Sequence, residues 1–268
     1  MKISFIGAGN MAGAIIYSLI SSGKAKACDI TVFDINQDKC SEFASLGVNV
    51  ATSQKSAVEA SFYIVLAVKP QDYEMVLLKI KQENPVFSSK VFISIAAGIS
   101  TKYVCDTLSC PELGVVRVMP NTPLLIGNGA TAISRNTFVN EKDYTKICGM
   151  FASSGIVCSL DESLMNSVIS VNSSSPAYVY LFAKALIDGA VEQGVDEKSA
   201  SELVYETIKG AALMLINSGK TPQELISMVA SPKGTTLAAL ESFESNDFES
   251  IVKQAMFACT KRAEEIKK

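Results

Sequence analysis

Over the first 160 residues the apolar positions fall in short, mostly unbroken runs, separated by stretches in which they recur every three or four residues. The runs predict strands at 3–6, 29–33, 49–51, 62–67, 91–95, 114–118, 130–134 and 156–158, and the intervening stretches predict helices. Ile64-Val65-Leu66-Ala67-Val68 and Val91-Phe92-Ile93-Ser94-Ile95 lack polar–apolar alternation. Strands of a parallel sheet, covered by helices on both faces, read this way. Strand alternating with helix gives a doubly wound α/β domain. Beyond residue 160 the strand signal stops. Ser174-Ser175-Pro176 reads as a helix start, and that helix runs to Gly194. Its Lys184, Asp188 and Glu192 fall four apart as a single polar stripe. A helix wet along one line is covered by its own domain or by a second subunit. Further helices are predicted at 197–217, 222–229, 235–244 and 247–267. The pattern divides the chain into an α/β domain, 1–159, and an all-α domain, 160–268.

Composition narrows the chemistry. The 268 residues are 48% hydrophobic and 19% charged, with 24 basic and 27 acidic side chains. A net charge of -3 argues against a nucleic-acid partner, which wants a basic face. There is no histidine. That excludes a Ser-His-Asp triad, a histidine metal ligand and imidazole acid–base chemistry, and no metal site is expected. Seven cysteines, scattered and without a CxxC, read as free thiols in a reducing cytoplasm rather than as disulfides or a zinc site. No window approaches about 18 uninterrupted apolar residues, so no membrane span is expected. Ala25-Lys26-Ala27 looks like a signal-peptide cleavage site, but Gly7, Gly9, Asn10 and Gly13 interrupt the apolar stretch it would need.

Another motif accounts for those glycines. The first predicted strand leads into Gly7-Ala8-Gly9-Asn10-Met11-Ala12-Gly13, a G-x-G-x-x-A form of the dinucleotide fingerprint in strand–turn–helix context. Gly7 would permit the tight turn, Gly9 the close approach of a pyrophosphate to the helix N–H groups, and Ala12 the packing of helix on sheet. Asp34 ends the second strand, 21 residues past Gly13, where a carboxylate accepts from the ribose hydroxyls of NAD. Ile35, Asn36 and Gln37 follow, with no arginine before Arg117. That leans toward NADH or toward use of both cofactors, with Lys39 and Lys55 as the nearby cations. Ala67-Val68-Lys69-Pro70-Gln71, Ser94-Ile95-Ala96-Ala97-Gly98 and Val118-Met119-Pro120-Asn121-Thr122-Pro123 each follow a strand end, where ligands of open α/β sheets bind. Asn121 would bind a nicotinamide carboxamide or fix its own loop. Last, Ser231-Pro232-Lys233-Gly234-Thr235-Thr236 opens a helix. It is a receptor for a small carboxylate or an ordinary serine–threonine cap.

Together these motifs, with Ser175-Pro176-Ala177-Tyr178, resemble the pyrroline-5-carboxylate reductase family, in its order and over almost the whole chain. The resemblance implies an N-terminal Rossmann-like domain for NADPH or NADH. It also implies a helical C-terminal domain interlocked with a second subunit, and in many relatives larger rings of such dimers, up to a decamer. Carried over by position, the cofactor contacts are Ile6, Gly7, Ala8, Gly9, Asn10, Met11, Asp34, Asn36, Gln54, Val68, Lys69, Pro70 and Ala97. Substrate contacts are Glu162, Gly234, Thr235 and Thr236. The implied reaction is hydride transfer to the C=N bond of 1-pyrroline-5-carboxylate, giving L-proline, with Thr236 at the ring nitrogen. The chain departs from the pattern at Lys233, where the family usually has glycine, at Gln54, where asparagine is common, and at Asn172-Ser173-Ser174-Ser175. If position 233 needs positive φ, lysine is costly there; if not, it adds a cation near the substrate carboxylate. The first half also resembles β-hydroxyacid dehydrogenases, which would require Lys184 as the working lysine and leave the 231–236 loop without a role.

Overall fold

The computed structural model describes residues 1–83, 86–87 and 89–266. Each predicted strand is present: β1 Ile3–Ile6, β2 Ile30–Phe33, β3 Asn49–Val50, β4 Tyr63–Leu66, β5 Val91–Ser94, β6 Gly114–Met119, β7 Gly129–Arg135 and β8 Gly155–Ser159. Between them run α1 Asn10–Ser21, α2 Gln37–Ser45, α3 Gln54–Ala60, α4 Tyr73–Glu83, α5 Thr101–Leu108 and α6 Glu141–Ala152. The sheet order is β3-β2-β1-β4-β5-β6-β7-β8. Chain order therefore reverses at the β1–β4 pair, the switch point beside which ligands of such sheets bind.

Alternating strand residues feed two cores. Ile3 and Phe5 pack with Ile15, Ile16, Leu19 and Met150 on one face. Ile6 packs on the other with Ile64, Leu66, Tyr73, Leu77 and Phe92. The sheet is not parallel throughout: β7 runs antiparallel to β6. Only residues 120–128 join them, with a short turn at Thr122–Ile126. A parallel return needs a crossover of about a dozen residues or more.

The helical part contains α7 Ser175–Glu192, α8 Glu197–Asn217, α9 Pro222–Val229, α10 Thr235–Ser245 and α11 Phe248–Ile266. The last residue of the 247–267 helix, Lys267, lies outside the described residues. Residue 160 marks where strands stop, but the packing boundary falls later. One compact unit is Met1–Ser174 with the chain from Ala258 on, and the other is Ser175–Phe257. The reason is that 160–174 forms short turns whose Met165 and Ile169 pack with Met119, Ala132 and Ala263. In the second unit α7 buries only Ala183, and Leu181, Ile216 and Phe257 are among its exposed apolar side chains. Of the two covers the α7 pattern allows, its own unit does not supply one.

Candidate active site

The carboxyl ends of β1 to β6 gather the first set of sequence-predicted residues. Gly7 has φ +103°, and a Cβ there would stand 2.6 Å from the Ala67 carbonyl oxygen. Its N–H donates to Phe33 O at 2.8 Å, so the loop is sewn to β2 while lying against β4. Gly9 is different. A Cβ on it would meet nothing within 4 Å, and it is the N-cap of α1 without a side-chain cap. The first-turn N–H groups of α1 thus face open space, as a phosphate cradle requires. Asn10 is exposed and Met11 half-buried at that end. Ile6, by contrast, is a core side chain whose carbonyl accepts from Ala67 N at 2.8 Å; it carries the loop and presents no side chain to the groove.

Asp34 is held by the same turn. Its Oδ2 accepts from Ala8 N at 2.7 Å and its Oδ1 from Asn36 N at 2.8 Å. The carboxylate therefore ties the glycine loop to the end of β2 and keeps only its remaining lone pairs for a ribose. Asn36 in turn caps α2 by accepting from Asp38 N at 3.0 Å. Gln54, first residue of α3, is buried, and its Oε1 has no hydrogen-bond partner. That leaves a buried acceptor free for a donor from a bound group. Val68 and Pro70 are half-buried and Lys69 exposed in the loop after β4. Ala97 is half-buried beside Gly98, whose φ is +75°.

Asn121 takes the second of its two readings. Its Oδ1 accepts from Ala130 N at 2.9 Å and its Nδ2 donates to Asn172 O at 3.2 Å. Asn172 reciprocates, donating to Met119 O at 2.7 Å and Ala130 O at 2.8 Å. This buried amide clasp, with Ser173 donating to Pro120 O at 3.1 Å, fixes the loop after β6. Sequence reading flagged both motifs but missed their partnership.

Glu162 also has a structural partner. Its Oε1 accepts from Thr101 N at 2.7 Å and its Oε2 from the Thr101 hydroxyl at 2.6 Å. The carboxylate thus stabilises the start of α5, where negative charge is favoured. It lies in the first unit, whereas Gly234, Thr235 and Thr236 lie in the second. Buried Arg117, which donates to Asn166 Oδ1 at 2.5 Å, has its pKa lowered by burial, with Glu162 opposing that shift.

In the second unit, Gly234 N donates to Ser231 O at 2.9 Å across Pro232 and Lys233. Lys233 has φ +61°. Proline second and positive φ third make this a type II turn, whose third position glycine or asparagine normally fills. Lysine there costs about 1–2 kcal/mol. Gly234 has an ordinary φ of -83°, and a Cβ there would stand 2.4 Å from Ser231 Oγ and 3.0 Å from Ser231 O, so Ser231 would have to turn aside. Gly234 is the N-cap of α10 and no side chain caps it, so the serine–threonine cap is not what this sequence forms. Thr235 and Thr236 occupy the first turn, and Thr236 is the one polar residue lining an otherwise apolar cavity of about 420 Å³ with Met214, Leu215 and Leu225. Lys184 is exposed and bound to Asp188, which raises its pKa. Nothing else among the described residues surrounds Lys184 with a site, so the β-hydroxyacid dehydrogenase reading finds no support at its central residue.

Two family models match the chain. One, described as NADP oxidoreductase coenzyme F420-dependent, covers residues 2–98, and one described as pyrroline-5-carboxylate reductase dimerisation covers 162–266. A pyrroline-5-carboxylate reductase from Haemophilus influenzae is 39% identical, over 98% of this chain and 97% of its own length. That of Pisum sativum is 35% identical over 98% and 95%. The crystal structure of Plasmodium falciparum pyrroline carboxylate reductase with NADP bound superposes with a TM-score of 0.90 at 30% identity, over 100% of this chain and 98% of that one. A glycine loop open at Gly9 and an uncapped Gly234-Thr235-Thr236 helix start thus sit in a chain matched end to end, and the chain belongs to the pyrroline-5-carboxylate reductase family.

Proposed function

We propose that this protein reduces the C=N bond of 1-pyrroline-5-carboxylate to L-proline, the last step of proline synthesis, with a reduced nicotinamide dinucleotide held along the carboxyl ends of β1 to β5. When bound, the dinucleotide supplies the hydride. The N–H groups of Gly9, Asn10 and Met11 would hold its pyrophosphate. Asp34, Asn36 and Gln54 would meet the adenosine half. Val68, Lys69, Pro70 and Ala97 would border the nicotinamide half, with Asn121 steadying its own loop. The uncapped amino end of α10 would take the substrate carboxylate on the N–H groups of Gly234 and Thr235. The Thr236 hydroxyl would hydrogen-bond the ring nitrogen. A protonated cyclic imine is already electrophilic, so a chain without histidine has mainly to orient it, and orientation alone is worth about 7–11 kcal/mol of barrier.

The observation that carries this reading is the uncapped start of α10 behind Gly234. The test is oxidation of the dinucleotide in the presence of pyrroline-5-carboxylate, with wild type and Thr236→Ala. The variant is expected to lose about ten- to a hundredfold in kcat/KM with cofactor affinity nearly unchanged. Unchanged turnover removes Thr236 from the reaction. The same assay run with both cofactors reads out Asp34. With a carboxylate at Asp34 and no arginine at 35–37, NADH or dual use is proposed. Further parts of the reading are a homodimer built on the helical domain, assembled as far as a decamer, and a reducing cytoplasmic setting. Light scattering on the 28.6 kDa chain gives the assembly. The exposed apolar residues of α7 and α8 support the dimer.

A further inference from the structure

Among the described residues Arg117 is the one basic side chain in the core, 3% exposed in the middle of β6. Its neighbours in register are Ser94 on β5 and Ser134 on β7, so the adjoining strands give it no counter-charge. Its Nη2 donates to Asn166 Oδ1 at 2.5 Å, while its Nε is buried without a partner. A guanidinium buried with an unpaired N–H stabilises the fold less than a well-packed apolar side chain would, so folding alone does not account for it. The carboxylate that acts on it is the half-buried Glu162, whose charge is the largest influence opposing the fall that burial imposes on the Arg117 pKa. The two are also joined through the chain. Met165 N donates to Glu162 O at 3.1 Å and Asn166 follows at once, so the bond from Arg117 fixes the turn that carries Glu162. Glu162 accepts from Thr101 N and from the Thr101 hydroxyl, which leaves carboxylate lone pairs for a further donor. Thr101 opens α5 directly after the 96–100 loop, whose Ala97 would border the nicotinamide.

We propose that Arg117 is a positioning residue for the reduction. From inside the sheet, by its charge and through Asn166, it holds the Glu162 carboxylate beside the loop after β5, where the remaining lone pairs receive the positively charged imine nitrogen. The inference rests on the proposed reduction of pyrroline-5-carboxylate. As hydride reaches the imine carbon, the C=N π pair withdraws to nitrogen and the positive charge there disappears. A carboxylate beside it therefore holds the substrate at least as firmly as the transition state, and weakening its grip raises KM with kcat nearly in place.

Steady-state kinetics and a cofactor titration on the full chain test this. Arg117→Gln is expected to raise KM for pyrroline-5-carboxylate about tenfold, with kcat and the affinity for the reduced dinucleotide within about twofold of wild type. Arg117→Lys keeps the charge and is expected to recover most of that loss. Glu162→Gln should raise KM by a similar factor, and adding Arg117→Gln to it should raise KM no more than about twofold further, because both act through one carboxylate. A lysine variant no better than glutamine, or single effects that simply multiply in the double variant, would make Arg117 a support of the fold alone and overturn the inference. Should Arg117→Gln not fold, Arg117→Met with Asn166→Leu replaces both hydrogen-bonding partners by apolar side chains, an exchange that stability tolerates. Folded and with a wild-type KM, that pair overturns the inference; with KM raised about tenfold it upholds it. A wild type that binds the dinucleotide and does not reduce pyrroline-5-carboxylate overturns the functional reading itself, and the inference with it.

Discussion

Replacing Gly7 and Gly9 one at a time separates the two tasks of the glycine loop. At Gly7 an alanine would adopt φ +103° and bring its Cβ to 2.6 Å from the Ala67 oxygen and 2.8 Å from its carbonyl carbon. Comfortable non-bonded contact is roughly 3.5 Å, so one backbone must yield by about half an ångström or more. Neither is free to do so, since Gly7 N is bonded to Phe33 O and Ala67 N to Ile6 O, each at 2.8 Å. Positive φ costs about 1–2 kcal/mol and overpacking about 1–3 kcal/mol. Gly7→Ala should therefore destabilise by about 2–5 kcal/mol, a large share of the roughly 5–15 kcal/mol that holds a typical domain. Gly9 has φ -79° and nothing within 4 Å of an added Cβ. Gly9→Ala should cost no more than about 1 kcal/mol, the N-cap preference. It should weaken cofactor binding by roughly ten- to a hundredfold, because the methyl occupies the phosphate's approach and charged hydrogen bonds are lost. Urea unfolding followed by circular dichroism measures the first effect. Fluorescence of the reduced nicotinamide measures the second, free of tryptophan emission because the chain has none. A Gly7→Ala protein within about 1 kcal/mol of wild type would refute the close-approach argument, and a Gly9→Ala protein with wild-type cofactor affinity would refute the cradle.

Two further perturbations test the framework around the site. Removing the Asn172 side chain deprives the carbonyls of Met119 and Ala130 of a buried amide donor, so Asn172→Ala should cost about 2–4 kcal/mol. Because Asn121 shares the clasp, the double alanine variant should lose less than the sum of the singles; simple additivity in urea midpoints would dissolve it. Burial raises the thiol pKa of Cys40, Cys105, Cys110 and Cys148 and the phenol pKa of Tyr63, which also donates to Asp143 Oδ1 at 2.7 Å. Acids whose folded pKa lies above the unfolded one stabilise fully below the unfolded value. Stability should thus hold up to about pH 8.5 and fall from there toward alkaline pH. A urea midpoint that stays flat between about pH 8 and 10 would refute that assignment.

What the sequence disclosed follows from the range over which each interaction acts. β4 and β5 were readable because strands buried on both faces must be apolar almost throughout, whatever they pack against. The glycine loop was readable because the turn and the helix start are both settled within seven residues. The antiparallel direction of β7 was not, since it depends on the length of the 120–128 connection and on a pairing chosen across the sheet. The clasp joins Asn121 to a residue 51 positions away, and Thr101 finds Glu162 at a separation of 61. No periodicity records such pairs, and a resemblance that implies Glu162 as a substrate contact does not disclose that its carboxylate also holds the start of α5. Asp34 stands between the two cases. Position alone predicted a carboxylate at the end of β2, but its bonds to Ala8 N and Asn36 N show that the same charge also shapes the loop. A change at Asp34 would therefore move cofactor choice and loop geometry together. On the proposed reading, cofactor preference is coupled to the stability of the turn that would bind the phosphates, and the kinetics of an Asp34 variant can be read only beside its unfolding curve.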